Sequence, residues 1–71
     1  MIKLVIYRKS DGVIEGLFSD YQNNSVATIF QACPEQIELY NQTVLDVPME
    51  VEDNKRGYKI VDEVNIVPVN G

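Results

Sequence analysis

The stretch that decides the fold is Ile2-Lys3-Leu4-Val5-Ile6-Tyr7-Arg8, followed by Lys9-Ser10-Asp11-Gly12 and then Val13-Ile14-Glu15-Gly16-Leu17-Phe18-Ser19. The first seven residues are β-branched, aliphatic or aromatic apart from Lys3 and Arg8. Such a run favours a strand buried on both faces. Asp-Gly supplies the positive φ that a tight connection requires. The second run therefore reads as the returning strand, with Gly16 marking a bulge. The chain opens as a β-hairpin.

Working outward, Asp20 to Asn24 is polar and turn-like, and Ser25 offers a helix N-cap. Val26, Ile29, Phe30 and Cys33 follow at i, i+3, i+4 and i+7, one face of a helix about two turns long. Pro34 closes it, because the residue before a proline is pushed out of the α region. The same residues, Ala27 to Phe30, also suit a strand, and the helix is the preferred reading. Cys33 then falls on the apolar face as a small buried hydrophobe. Glu38-Leu39-Tyr40 reads as a strand, Asn41-Gln42 as a turn, and Val44 to Val47 as a further extended piece. Met49 to Asn54 alternates Met49 and Val51 with Glu50 and Glu52, the two-residue period of a half-buried strand. Asp53 to Gly57 is a charged loop. Tyr58 to Val61 and Val64 to Val69 are apolar again, with Asp62-Glu63 either a turn or an exposed step between them. The predicted fold is α+β, a small mixed sheet with one helix across it, in the order ββα and then further strands. Residues 1–71 make a single domain.

Of 71 residues, 11 are acidic and 6 basic, a net charge of −5. No Lys or Arg occurs from Ser10 to Asn54, a span that holds Asp11, Glu15, Asp20, Glu35, Glu38, Asp46, Glu50, Glu52 and Asp53. The bases form two clusters, Lys3/Arg8/Lys9 and Lys55/Arg56/Lys59. Such a surface repels phosphate, so direct binding of nucleic acid is not expected. A partner protein with a basic surface is. No run of about 18 apolar residues is present, which argues against a membrane helix. A single cysteine forms no internal disulfide, as suits a reducing, cytoplasmic setting.

The chain has no histidine, which removes Ser-His-Asp and Cys-His nucleophile pairs and His-containing zinc sites. The common glycine-rich phosphate cradles are missing. Glu50-x-Glu52-Asp53-Asn54 lacks the spacing and glycine of a calcium loop. No enzyme, cofactor or metal is expected. The candidate docking residues are Glu50, Glu52 and Asp53, with Tyr58 as an aromatic anchor of the kind enriched at interfaces. Sheet-edge pairing through Val64 to Val69 is a route to a homo-oligomer.

Tyr40-Asn41-Gln42-Thr43-Val44 resembles the Asn-x-x-Val segment that follows the third strand of β-grasp sulfur-carrier proteins. Asp62-Glu63-Val64-Asn65-Ile66-Val67-Pro68-Val69-Asn70-Gly71 is similar to their last strand and tail. Ser25-Val26 with Ile29-Phe30 matches the start of their helix. The resemblance implies a β-grasp, or ubiquitin-like, fold and makes Gly71 the carrier position. Those carriers end in Gly-Gly, so that a tail without side chains can enter an activating enzyme. Asn70 in the penultimate place points instead to a domain that only docks. Tyr7…Asp11-Gly12-Val13-Ile14 and Tyr58-Lys59-Ile60-Val61-Asp62 also resemble the hairpins of short phage accessory proteins, which implies an acidic decoy, an inhibitor or a minor virion component as the alternative role.

Overall fold

The computed structural model describes residues 1–70; Gly71, and with it the carrier position, lies outside the described residues. The opening hairpin forms where the sequence places it. Strand β1 spans Ile2–Arg8 and β2 spans Ile14–Phe18, paired antiparallel from Leu4↔Phe18 to Tyr7↔Ile14. The register shifts between Ile6 and Tyr7, so Glu15 is the extra residue of a bulge beside Gly16. Gly12 takes φ +78° and its N–H donates to Arg8 O at 2.8 Å.

A short helix α1, Val26–Ile29, follows, then a 3-10 segment over Pro34–Leu39 and strand β3, Tyr40–Asp46. β3 returns antiparallel along the other side of β1, from Ile2↔Asp46 to Arg8↔Tyr40. Helix α2 covers Met49–Asp53, a second 3-10 turn covers Lys55–Gly57, and β4 (Tyr58–Val61) pairs antiparallel with β5 (Asn65–Pro68). Among the described residues the strands make two sheets, β2-β1-β3 and β4-β5.

The fold is thus α+β, small and rich in strands, but several details differ from expectation. Every ladder described is antiparallel, so the expected mixed sheet is not formed. The helix is one turn rather than two. Its capping box, Ser25 with Thr28, fixes the start, and Phe30 caps its end. Cys33 then lies beyond the helix, in the N-cap position of the 3-10 segment, and is exposed rather than buried. Asn41-Gln42 is not a turn but the second and third residues of β3, paired with Tyr7 and Ile6. Glu38-Leu39 ends the 3-10 segment and only Tyr40 begins the strand. Finally, Met49 to Asp53 is helical. Val47 and Val51, four residues apart, are both buried, while Met49 is 69% exposed. A strand of that register would have buried Met49 with Val51.

The core explains why β1 carries no alternation. Val5 and Tyr7 face one side with Ile14, Val47, Val51 and Ile60. Leu4 and Ile6 face the other with Val26, against which Phe18, Ile29, Phe30, Ile37 and Tyr40 pack. The central sheet is covered on one face by α2 and the β4-β5 hairpin, and on the other by α1 and the Pro34–Leu39 segment. Each fully buried aliphatic side chain contributes about 1.5–3 kcal/mol by leaving water.

The second sheet is tied to the first through the opening turn. Val13 bridges to Lys59, and Ile60 N–H donates to Gly12 O at 2.8 Å. The β4-β5 connection is a turn: Asp62 and Glu63 adopt φ +55° and +68°, and Val61 pairs with Asn65 across it.

Candidate functional site

The expected docking residues lie on the α2 side of the sheet. Pro48 precedes α2 in extended conformation, and Glu50 and Glu52 occupy the first turn, where carboxylates meet the unpaired N–H groups favourably. Glu50 and Asp53 are exposed and three residues apart, hence neighbours on the helix surface. Glu52 points the other way. It pairs with Lys3 Nζ at 3.1 Å, and both side chains are largely sheltered, at 23% and 12% exposure. Lys3 also donates to Ser19 Oγ at 2.9 Å. Glu52 is therefore engaged within the chain, clamping α2 to β1. Tyr58 is half-buried and packs against the core beneath β4. The structure brings Glu50, Glu52 and Asp53 together on one short helix and places Tyr58 in the adjoining sheet.

The charge segregation of the sequence is partly undone by folding. Arg8 holds Asp11 through Nε at 3.1 Å and Nη2 at 2.7 Å, Arg56 reaches Glu15 at 3.5 Å, and the N-terminal amine pairs with Asp46. Each of these pairs, like Lys3–Glu52, joins a cation outside or at the rim of the base-free span to an acid within it. Val13 N–H donates to Asp11 Oδ1 at 3.0 Å, and this bond above all, with help from Arg8, holds the Asp11 carboxyl below its ordinary value against the opposing effect of desolvation. Among the described residues, Asp20, Glu35, Glu38, Glu50, Asp53, Asp62 and Glu63 have no cation within salt-bridge distance, against three such lysines, Lys9, Lys55 and Lys59.

Sequence reasoning missed an apolar groove on the opposite face. It encloses about 270 Å³ and is lined chiefly by Ile6, Gly16, Phe18, Ile29, Phe30 and Tyr40. Phe30 and Tyr40 stack there with ring centroids 4.8 Å apart and planes 8° from parallel. The signal for it was the Val26/Ile29/Phe30 spacing, but the partner ring sits ten residues on, beyond any local period. Tyr7 is buried between the layers. Burial raises its phenol above the ordinary value of 10.0, the negative charge of Glu63 adds to this, and a hydrogen bond from Asn41 opposes it. Among the described residues no cluster of three or more Cys, Asp or Glu is placed to hold a metal, and no helix is long and apolar enough to cross a membrane.

No family model matches the chain, and no curated protein and no solved structure matches it significantly. The functional reading therefore rests on the residues themselves.

Proposed function

We propose that this chain is a non-enzymatic interaction module that docks through an acidic surface on a partner protein with a basic face. The observation that carries the proposal is the set of acids left over after internal pairing. Seven carboxylates stand without a cation among the described residues, and Glu50 and Asp53 project side by side from α2. Glu52 supports them from beneath by fixing the helix to Lys3. The reading keeps from the β-grasp resemblance the order of elements and a docking role without carrier chemistry. It places the module in the cytoplasm.

Exposed carboxylates contribute modestly each, but they steer association and make it salt-dependent. The test is binding to a lysine-rich peptide by wild type and by the Glu50→Gln/Asp53→Gln double variant. The wild type binds several-fold more tightly at low salt, and the difference shrinks as the Debye length falls from about 10 Å at 0.1 M toward about 3 Å at 1 M. Equal affinity of the two proteins at low salt refutes the assignment of α2 as the docking element.

A further inference from the structure

The seven-residue strand β3 is an outer strand of its sheet. Its free edge can be read residue by residue. Lys9 N–H donates to Leu39 O at 3.0 Å and Val47 N–H to Met1 O at 2.8 Å, at the two ends of the β1–β3 ladder. In an antiparallel ladder bonded and non-bonded pairs alternate. With the register Ile2↔Asp46 to Arg8↔Tyr40, the odd residues Asn41, Thr43 and Leu45 exchange hydrogen bonds with β1. The even residues Gln42, Val44 and Asp46 turn their N–H and C=O groups outward. Among the described residues, no turn, loop or cap hydrogen bond reaches them.

Natural sheets blunt such edges with lysine, proline, bulges or covering segments. β2, the other outer strand, carries a bulge, and Arg56 of the neighbouring 3-10 turn reaches over to its Glu15. β5 is four residues long and ends in Pro68. β3 has none of these devices. From Tyr40 to Leu45 it holds no charge, no proline and no register shift.

We propose that β3 pairs antiparallel with β3 of a second copy, about a two-fold axis at Thr43. Only outward-facing residues can bond across the seam, so even residues must meet even residues. The register centred on Thr43 meets this condition and also overlaps the whole strand. It sets Gln42 against Val44′, Asn41 against Leu45′ and Tyr40 against Asp46′, primes marking the second copy. A register centred on Val44 would set Tyr40 against Pro48. Each Gln42–Val44′ pair exchanges two hydrogen bonds, and each Asp46 N–H reaches a Tyr40 O; the Tyr40 N–H is already donated to Ile37 O.

Charge decides for a second copy over the basic partner of the docking surface. An uncharged edge gives a cationic strand nothing to recognise. In the self-pairing the strand's one carboxylate lies opposite a tyrosine, so two chains of net charge −5 meet without facing acids. Thr43 faces its own symmetry mate, a favourable cross-strand pair. Val44, 46% exposed in the single chain, becomes a diagonal neighbour of Val44′. The result is a continuous six-stranded sheet, β2-β1-β3-β3′-β1′-β2′, with an isologous interface.

The test is sedimentation velocity from about 10 μM to about 1 mM, the range suited to a small interface, with amide hydrogen exchange at both ends of that range. The wild type dimerises as concentration rises. The Gln42, Val44 and Asp46 amides gain protection with it, whereas the Thr43 and Leu45 amides are protected throughout. Val44→Lys and Val44→Pro, which alter only the outward edge, stay monomeric with wild-type far-UV circular dichroism. The proposal is overturned by a wild type that remains monomeric to the top of the range. It is equally overturned by a dimer that survives in both variants, or by concentration-dependent protection that appears in β5 instead.

Discussion

Replacing Gly12 with alanine tests how the two sheets are joined. Gly12 sits at φ +78°, where an L side chain costs about 1–2 kcal/mol. A Cβ built there would stand 2.5 Å from the backbone O of Ile60, which no rotamer change can relieve. The same junction holds the 2.8 Å hydrogen bond from Ile60 N–H to Gly12 O, with a net contribution near 1 kcal/mol. Together these give an expected loss of about 2–3 kcal/mol. A 71-residue domain has only roughly 4–10 kcal/mol in total, and its Tm should fall by on the order of 10–20 °C. The assay is urea denaturation followed by circular dichroism, with amide exchange at Ile60 as the local readout. Gly57→Ala is the control. Its Cβ would also approach within 2.5 Å, but of the Asn54 side-chain amide, which can swing away, and its φ is not positive. That variant should be close to neutral. If Gly12→Ala is as mild as Gly57→Ala, or leaves Ile60 fully protected, the junction does not hold the sheets together as argued.

Two further outcomes follow from buried groups. Burial and the charge of Glu63 raise the Tyr7 phenol above 10.0. The unfolded chain therefore loses its Tyr7 proton first, so this stabilisation is complete below pH 10 and is lost as pH rises through the higher folded value. Denaturation midpoints measured from pH 8 to 12 should fall more steeply for wild type than for Tyr7→Phe, and parallel curves would contradict the assignment. Glu52→Gln or Lys3→Met strips one partner from a sheltered pair 3.1 Å apart and should cost about 1–2 kcal/mol, with the double variant losing less than the sum of the singles. Strict additivity in the thermodynamic cycle would show that the pair does not clamp α2.

The hairpin was readable because its signals are local. Seven apolar-rich residues, an Asp-Gly turn and a returning strand lie within nineteen positions, and the bulge falls beside the glycine that suggested it. The Ser25 cap was readable for the same reason. Reading failed where two periods fit the same few residues. Met49 to Asp53 alternates like a strand, yet Val47 and Val51 bury together at helical spacing once β1 offers them a surface. Asn41-Gln42 has turn composition, yet the ladder to β1 runs through it, and the Gln42 side chain accepts a hydrogen bond from Val26 N–H at 2.7 Å. Polar residues that cross an edge strand look the same in sequence as polar residues that end one. Of the candidate docking residues, the acids of α2 were visible as a cluster, but only their positions separate Glu52, which is paired, from Glu50 and Asp53, which are not.

By itself the sequence determined what chain chemistry can determine: an α+β domain opening in a hairpin, an apolar first strand, an absence of histidine, and a long acidic span between two basic clusters. Tertiary structure decided everything that needs a partner distant in sequence. It chose antiparallel neighbours on both sides of β1, set β4 and β5 apart as a second sheet anchored on Gly12, and spent part of the acidic span on internal ion pairs. The physical reason is range. Turn preference and capping act over a few residues and are written in order along the chain, whereas burial and charge pairing depend on which surfaces meet, and β1 meets residues more than forty positions away.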